Sequence, residues 1–148
     1  MPTVRSLLAS KEYETTFSVG VNDPVLDALK SMGAKNVGAI LVKDGEKYVG
    51  IFTERDYARK GEVQGKTAAT AKMKDAMTSP LITVTLETTV EECMGLMLKY
   101  HFRHLPVAEG AKIVGIVSMR DVVEAVLDDK EAVIAGLENF MMGSTFTS

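Results

Sequence analysis

The chain of 148 residues repeats part of its own sequence 65 residues further on, and this duplication limits the folds that it can adopt. Residues 18–60 match the later copy without a gap at 11 of 43 positions. The agreement is densest where GIFTERD at 50–56 aligns with GIVSMRD at 115–121. One copy alone would leave much apolar surface in water, because a very small domain buries a small share of its surface. We therefore expect two small sheets packed against each other.

Both copies show the same order of predicted elements, which is strand, helix, strand, strand and helix. Short strands are predicted at 17–19 and 82–84, and apolar residues at helical spacing follow each of them. Asp23 is predicted to cap the first of these helices. Asp-Gly at 44–45 and Glu-Gly at 109–110 separate β-rich runs, which predicts a hairpin in each copy. The predicted fold class is therefore α+β.

The duplication divides the chain at about residue 70. Residues 1–70 are assigned to the first repeat with an N-terminal helix, and residues 71–148 to the second repeat with an extended C-terminal helix. The connector at 61–80 is rich in glycine, alanine and threonine, which predicts a surface segment with one helical turn at its MKDAM sequence.

The C-terminal segment has a helical apolar pattern that is longer than its counterpart in the first repeat. Its predicted apolar stripe consists of Val126, Val133, Ile134, Leu137, Phe140 and Met141. A stripe of this kind needs a partner, since contiguous apolar patches usually mark contacts. We therefore expect a homodimer.

Composition excludes several classes of protein. The net charge of −3 at pH 7 gives no overall field that would attract nucleic acid or an anionic membrane. The apolar runs are shorter than the roughly 18 residues that a membrane span needs, and residues 1–14 lack the apolar core of a secretory signal. The single cysteine, Cys93, precludes an internal disulfide and suits a reducing compartment. We expect a cytoplasmic location, or an organellar stroma or matrix.

The duplicated motif has two interpretations. As a capping box, its hydroxyl and aspartate begin a helix. As a binding site, the same helix start offers N–H groups to phosphate, the aspartate accepts from ribose hydroxyls, and the arginine donates to phosphate oxygens. A cap alone would not require Gly50 and Gly115 in the preceding strands, which predicts the close approach of another group. The residues concerned are Thr53, Arg55 and Asp56 in the first copy and Ser118, Arg120 and Asp121 in the second.

Other chemistry has little support in the sequence. His101 and His104 lie across a predicted helix-to-strand boundary, and Cys93 falls on an apolar helix face, so we expect no metal site. Glycine-rich phosphate loops and dinucleotide fingerprints are absent. We expect no catalytic residues, no required cofactor and no enzyme activity.

These features resemble the tandem cystathionine-beta-synthase (CBS) domain family, also called the Bateman module, over about residues 1–143. The family signature is glycine, two apolar residues, serine or threonine, two variable residues and aspartate, and 50–56 and 115–121 both match it. The resemblance is to stand-alone CBS pairs, and it implies a pseudo-twofold pair of repeats with two clefts. Each cleft would take an adenosine compound such as AMP, ADP, ATP, NAD or S-adenosylmethionine, and the module would regulate an effector protein without catalysis.

The resemblance also implies which residues share a cleft. One cleft would combine Ser118, Arg120 and Asp121 with Val37, Gly38 and Ala39. The other would combine Thr53, Arg55 and Asp56 with Phe102, Arg103 and His104. We expect the cleft of Asp121 to be the roomier one and to bind more tightly, because Gly38 and Ala39 are small whereas Arg103 and His104 are bulky. For Arg103 two further roles stay open, which are reaching across the pair to phosphates in the roomier cleft and being a surface residue at a strand start. Arg59 and Lys60 are expected to be the solvated end of a short helix.

Two functions follow from these expectations. The first is an adenine-nucleotide sensor that changes the activity of another protein according to which ligand it holds. The second is a structural dimerisation module whose clefts are empty or degenerate. A stabilising effect of AMP, ATP or NAD on the folded protein would favour the first.

Overall fold

The structure of the protein, a computed structural model, describes residues 2–9 and 17–141, apart from the side chains of residues 130–133. The predicted place of Val133 in the apolar stripe lies outside this described part. The helices are α1 (Val4–Ala9), α2 (Val25–Lys35), α3 (Glu54–Asp56), α4 (Met73–Ala76), α5 (Val90–Tyr100) and α6 (Met119–Met141), and a π-helix (Tyr57–Glu62) continues α3. The strands are β1 (Ser18–Gly20), β2 (Ala39–Asp44), β3 (Lys47–Thr53), β4 (His104–Glu109) and β5 (Lys112–Ser118).

Each repeat contributes one antiparallel hairpin, as the Asp-Gly and Glu-Gly pairs predict. β2 pairs with β3, β4 pairs with β5, and β1 adds a parallel strand beside β2. Both turns contain a glycine at φ +63°, Gly45 and Gly110, in the left-handed conformation that glycine adopts readily. The predicted α+β fold class is therefore confirmed, with one three-stranded and one two-stranded sheet.

The first strand predicted for the second repeat is reduced to a single bridge, and a proline explains the difference. In the first repeat the Leu41 N–H donates to Phe17 O at 3.0 Å. The residue that aligns with Leu41 is Pro106, which has no N–H to donate. Val84 therefore pairs with Val107 only as an isolated parallel bridge.

Most of the connector between the repeats is exposed, as predicted, but the prediction of a surface segment fails at its helical turn. Its helical turn forms as predicted, but Met73 is 0% exposed and packs with Ala76 in the core of the first repeat. Backbone hydrogen bonds fix this position, since the Met73 N–H donates to Asp23 O at 3.0 Å and the Lys74 N–H donates to Val21 O at 2.9 Å.

The start of α2 depends on the same connector. The Asp23 carboxylate does not cap the helix as predicted but accepts from the Gly20 N–H at 2.8 Å. The Val25 N–H instead donates to Ala71 O at 2.9 Å. The connector thus provides a hydrogen-bond acceptor for the Val25 N–H, one of the N–H groups that a helix start otherwise leaves without a partner.

The N-terminal helix α1 packs on the second repeat. The Val4 N–H donates to Thr88 O at 2.8 Å, and the Val90 N–H donates to Pro2 O at 2.9 Å. Val4 and Leu7 are buried in the core cluster of that repeat. The packing therefore crosses the division into residues 1–70 and 71–148 that follows the duplication along the chain.

A small apolar cluster joins the two sheets. Ala39, Leu41 and Ile51 of the first sheet are buried, and Ile113 and Ile116 of the second sheet pack against them. Two hairpins that could not bury enough apolar surface separately therefore share one interface, as the size of each copy predicts.

The last helix extends beyond this packed body. Val122 in its first turn is buried, but Leu137 and Phe140 are 58% and 83% exposed. In the described part of the chain, no helix combines the length and the apolar content that crossing a membrane would need.

We predict that Met73→Ala lowers the free energy of unfolding by about 2–5 kcal/mol, the range for a buried methionine replaced by alanine. Lys74→Ala is the matched control, because Lys74 is exposed on the same helical turn. Urea unfolding of both variants measures the difference. Equal, small effects would contradict the buried position of the connector.

Candidate functional site

Both duplicated motifs form a complete capping box. The Asp56 N–H donates to Thr53 Oγ1 at 3.1 Å, and the Thr53 N–H donates to Asp56 Oδ2 at 3.0 Å. In the second repeat the Asp121 N–H donates to Ser118 Oγ at 3.1 Å, and the Ser118 N–H donates to Asp121 Oδ2 at 2.9 Å. The capping interpretation is therefore confirmed. It does not exclude a ligand, because each cap engages only one carboxylate oxygen of its aspartate.

Gly50 does have a close neighbour, but that neighbour is the connector. A Cβ at Gly50 would lie 2.6 Å from Met77 Sδ and 3.0 Å from Thr78 O. Thr78 pairs with Ile51 through two backbone hydrogen bonds of 2.8 and 3.0 Å, which bring the connector against β3. The close approach predicted at Gly50 is therefore confirmed, but the approaching group is the protein's own connector and gives no evidence for a ligand.

A cavity of about 450 Å³ opens at the end of β3, between the first motif and the segment that leads into β4. It brings together all six residues of one predicted cleft, namely Thr53, Arg55, Asp56, Phe102, Arg103 and His104. Its other lining residues are Gly38, Ile51, Glu54, Arg59, Lys60, Thr78, Tyr100 and His101. The volume lies within the range of small-molecule sites.

The segment from Tyr100 to His104 reaches this cavity because α5 ends abruptly. His101 adopts a left-handed conformation at φ 59° and terminates the helix. The Phe102 N–H then donates to Met97 O at 3.1 Å, and the Met119 N–H donates to Arg103 O at 2.8 Å. The second bond ties the cavity wall to the start of α6.

The other predicted cleft does not form in the same way. A cavity of about 410 Å³ includes Asp121, but its remaining lining residues are Pro2, Ser6, Leu7, Glu124, Ala125, Asp128 and Asp129. Val37 packs on the core of the first repeat, Ala39 is buried between the sheets, and Arg120 forms an exposed ion pair with Glu124 at 3.0 Å. Neither Gly38 nor Ser118 lines this cavity.

The expectation that the cleft of Asp121 is the roomier one is therefore wrong. Gly38 does create space, but that space lies on the other side of the pair. A Cβ at Gly38 would be 3.7 Å from His104 Nε2, so the missing side chain enlarges the cavity of Asp56. The cavity of Asp56, and not that of Asp121, is the one to which Gly38 and residues of both repeats contribute.

Positive charge dominates the cavity of Asp56. Arg55, Arg59, Lys60 and Arg103 line it, against the two carboxylates Glu54 and Asp56. Within the described residues, none of the three arginines forms an ion pair. A cavity with this excess of cations, in a chain whose net charge is −3, is suited to an anionic ligand.

Asp56 and Lys60 are held by the connector inside the cavity. Asp56 Oδ1 accepts from Thr78 Oγ1 at 3.2 Å and lies 3.7 Å from Lys60 Nζ. Lys60 Nζ also donates to Met77 O at 3.2 Å and to Thr78 Oγ1 at 3.3 Å. The lysine therefore partly neutralises Asp56 and anchors the connector.

Arg59 and Lys60 are lining residues that the sequence interpretation placed on a solvated helix end. Their signal was their spacing, since residues four apart share a helix face and Lys60 follows Asp56 by four. No signal in the sequence marks Thr78 as a lining residue, because it lies 22 residues from Asp56 and no local pattern connects the two.

An aromatic pair forms another part of the cavity wall. The rings of Tyr100 and Phe102 stack with centroids 5.7 Å apart and planes 20° from parallel. Lys99 Nζ lies 5.2 Å from the centroid of the Tyr100 ring. A planar heterocycle can stack on such rings, so the cavity combines a flat apolar wall with cationic donors.

The predicted lack of a metal site concerned His101, His104 and Cys93. Both histidines line the cavity, whereas Cys93 is buried in the core of the second repeat. Burial, with a smaller contribution from Glu92, raises the pKa of the Cys93 thiol to about 11, so it stays protonated at neutral pH. No metal-binding group of three or more such side chains occurs among the residues described.

Comparisons with known proteins agree with this architecture. The family model of the CBS domain matches residues 10–62 and 73–128. The CBS domain-containing protein CBSX3 of Arabidopsis thaliana, a mitochondrial protein, is 44% identical over 127 residues, which cover 82% of this chain and 62% of that protein.

Solved structures show the same likeness. A protein with CBS domains from Burkholderia ambifaria MC40-6 is 40% identical with a TM-score of 0.81, over 86% of this chain and 95% of that one. A CBS-domain containing protein of Agrobacterium tumefaciens is 31% identical with a TM-score of 0.76, over 83% and 92% of the two chains. With its two matched repeats and these relatives, the chain belongs to the CBS-domain family.

Proposed function

We propose that the cavity of Asp56 binds an adenosine-containing nucleotide, such as AMP, ADP, ATP or NAD, and that its occupancy regulates a partner protein. The observation that carries this proposal is the convergence of three kinds of group on one cavity of about 450 Å³: a capped aspartate, arginines without an ion pair among the described residues, and stacked aromatic rings. Each of these groups suits a different part of a nucleotide. S-adenosylmethionine is a poorer candidate, because its sulfonium is positive and so is the cavity.

The three parts of a nucleotide fit three parts of the wall. Asp56 Oδ1 can accept a hydrogen bond from a ribose hydroxyl, as acidic residues do in other nucleotide sites. The phosphates can take donors from Arg55 and Arg103, which line the cavity from different repeats. The base can stack on the ring of Tyr100, which is 40% exposed.

A ribose at Asp56 would also act on the connector. Asp56 Oδ1 accepts from Thr78 Oγ1, so a ribose hydroxyl would compete with that contact. Lys60 would be drawn toward the phosphates and away from Met77 O. Because Met77 and Thr78 adjoin α4, which is part of the core of the first repeat, the ligand can alter a surface outside its own cavity. Signal transduction has been suggested for the Burkholderia relative, and such a coupling suits that role.

We predict that Asp56→Ala weakens nucleotide binding by roughly 10- to 150-fold, the equivalent of about 1.5–3 kcal/mol for a hydrogen bond to a charged group. Asp121→Ala is the matched control, because it removes an identical capping box outside this cavity. Each variant should lose about 0.5–2 kcal/mol of unfolding free energy, as lost caps do. Calorimetric titration with AMP, ATP and NAD, together with urea unfolding, measures both effects.

If the parent chain, Asp56→Ala and Asp121→Ala bind the nucleotides with equal affinity, the two aspartates only cap their helices. A chain whose thermal unfolding is unchanged by all of these compounds would instead fit the dimerisation module with empty clefts. A ligand at 100 times its dissociation constant should add about 2.7 kcal/mol of stability, which is easily measured.

We also propose that the exposed part of α6 pairs with a second copy of the chain. Ile134 and Leu137 are more than half exposed and Phe140 is 83% exposed. The helix carries a heptad pattern, with spacings of four and three residues, in which Lys130 is the single polar member. Its positions are Val123, Leu127, Lys130, Ile134, Leu137 and Met141. A helix with this heptad pattern packs against another helix with the same pattern, and α6 of a second copy is such a helix.

We predict that the protein scatters light as twice the 16.0 kDa of one chain, and that Leu137→Glu reduces it to one chain. The introduced carboxylate would have to be desolvated in the helix pair. Val63→Glu is the control, because Val63 is 79% exposed but lies outside α6. A monomeric parent chain, or a dimer that Leu137→Glu leaves intact, would contradict the proposal.

A further inference from the structure

The two capped motifs of the duplicated chain open onto cavities of opposite charge. The cavity of Asp56 is lined by four cationic side chains and two carboxylates. Among the described residues, the cavity of Asp121 is lined by four carboxylates and by no lysine or arginine. Part of the difference lies in the motifs, since Arg55 lines its cavity whereas Arg120 does not, and part lies in the residues around them.

The duplication identifies two positions that contribute to this difference. Arg59 aligns with Glu124, and Lys60 aligns with Ala125, at the offset of 65 residues. All four side chains line the cavity of their own repeat. One pair of substitutions since the duplication therefore changes the charge presented beside the helix start by three units.

The cations of the Asp56 cavity have separate roles. Lys60 is engaged by the connector and by Asp56 at 3.7 Å. Arg55 and Arg59 are exposed and four residues apart on one helix face, and Arg103 lines the cavity from the second repeat. The three arginines have no ion pair within the described residues, so their donors are available to a ligand.

This supply of donors exceeds what one phosphate needs. A guanidinium carries five N–H donors and binds a phosphate through two of them, so two arginines already suffice for a monophosphate. If Arg55 and Arg103 bind one phosphate, Arg59, on the same helix face as Arg55, is left to bind a second or third phosphate. Each added phosphate also adds negative charge in a cavity where positive charge is in excess.

We infer that the cavity of Asp56 selects nucleotides by phosphate number, with ATP and ADP bound more tightly than AMP, and that Arg59 supplies much of this selectivity. The cavity of Asp121 takes no nucleotide phosphate, because its carboxylates repel one. This inference rests on the proposed nucleotide function and specifies the class of ligand for that site.

Calorimetric titration of the full chain with adenosine, AMP, ADP and ATP tests the inference at low and at physiological salt. We expect one site per chain, with ATP bound at least about tenfold more tightly than AMP, on the order of one charge-assisted hydrogen bond. The advantage of ATP should shrink as salt rises, since salt screens exposed charges.

Arg59→Glu introduces the residue that the second repeat has at this position, and it should remove most of the difference between ATP and AMP. Lys30→Glu is the matched control, because it changes the net charge equally at an exposed site on α2 that lines neither cavity. Arg103→Gln tests the arginine of the second repeat in the same way, and it should also reduce the affinity for ATP more than the affinity for AMP.

The outcomes separate the two proposals. Equal affinities for AMP, ADP and ATP would overturn phosphate selection while leaving nucleotide binding in place. Equal losses of ATP affinity in Arg59→Glu and Lys30→Glu would overturn it as well, since the effect would then be one of net charge. If no adenosine compound binds, the proposed function and this inference both fail.

Discussion

The pairing of the connector with β3 is the contact on which the rest of the candidate site depends. Two backbone hydrogen bonds between Ile51 and Thr78 bring the connector against the strand, so close that a Cβ at Gly50 would crowd Met77 Sδ and Thr78 O. This contact places the Thr78 hydroxyl beside Asp56 and gives Lys60 a carbonyl to bind. Further backbone bonds of the connector, to Asp23 and Val21, place Met73 in the core of the first repeat. The same short segment therefore stabilises the fold and shapes the cavity.

Most of the fold could be predicted because the duplication and the local patterns agree. Turn glycines such as Gly45 specified the hairpins, and the motif specified where α3 and α6 begin. What local patterns could not give was the exchange of segments between the repeats. The N-terminal helix packs on the second repeat and the connector on the first, through backbone bonds such as that of Val4 to Thr88. Backbone groups are present in every residue, so no sequence pattern indicates which carbonyl accepts such a bond.

The sequence predicted which residues of the two repeats meet in the candidate site, but it did not predict which of the two clefts is suited to a ligand. All six residues of one predicted cleft surround the same cavity. The two clefts were ranked wrongly because Gly38 was assigned to the cleft of Asp121. In the structure Gly38 faces His104, so its missing side chain enlarges the cavity of Asp56. The alignment of Arg59 with Glu124 was visible in the sequence, but its meaning depends on both residues lining cavities. Duplication thus yields two equal caps, and divergence around them yields unequal cavities.

The account depends on one central claim, which is that a nucleotide occupies the cavity of Asp56. A crystal structure of the chain grown with saturating ATP tests this most directly. The account predicts ribose density beside Asp56, phosphate density between Arg59 and Arg103, and a base against Tyr100. Nucleotide density beside Asp121 and Glu124, or no nucleotide density in either cavity, would contradict it.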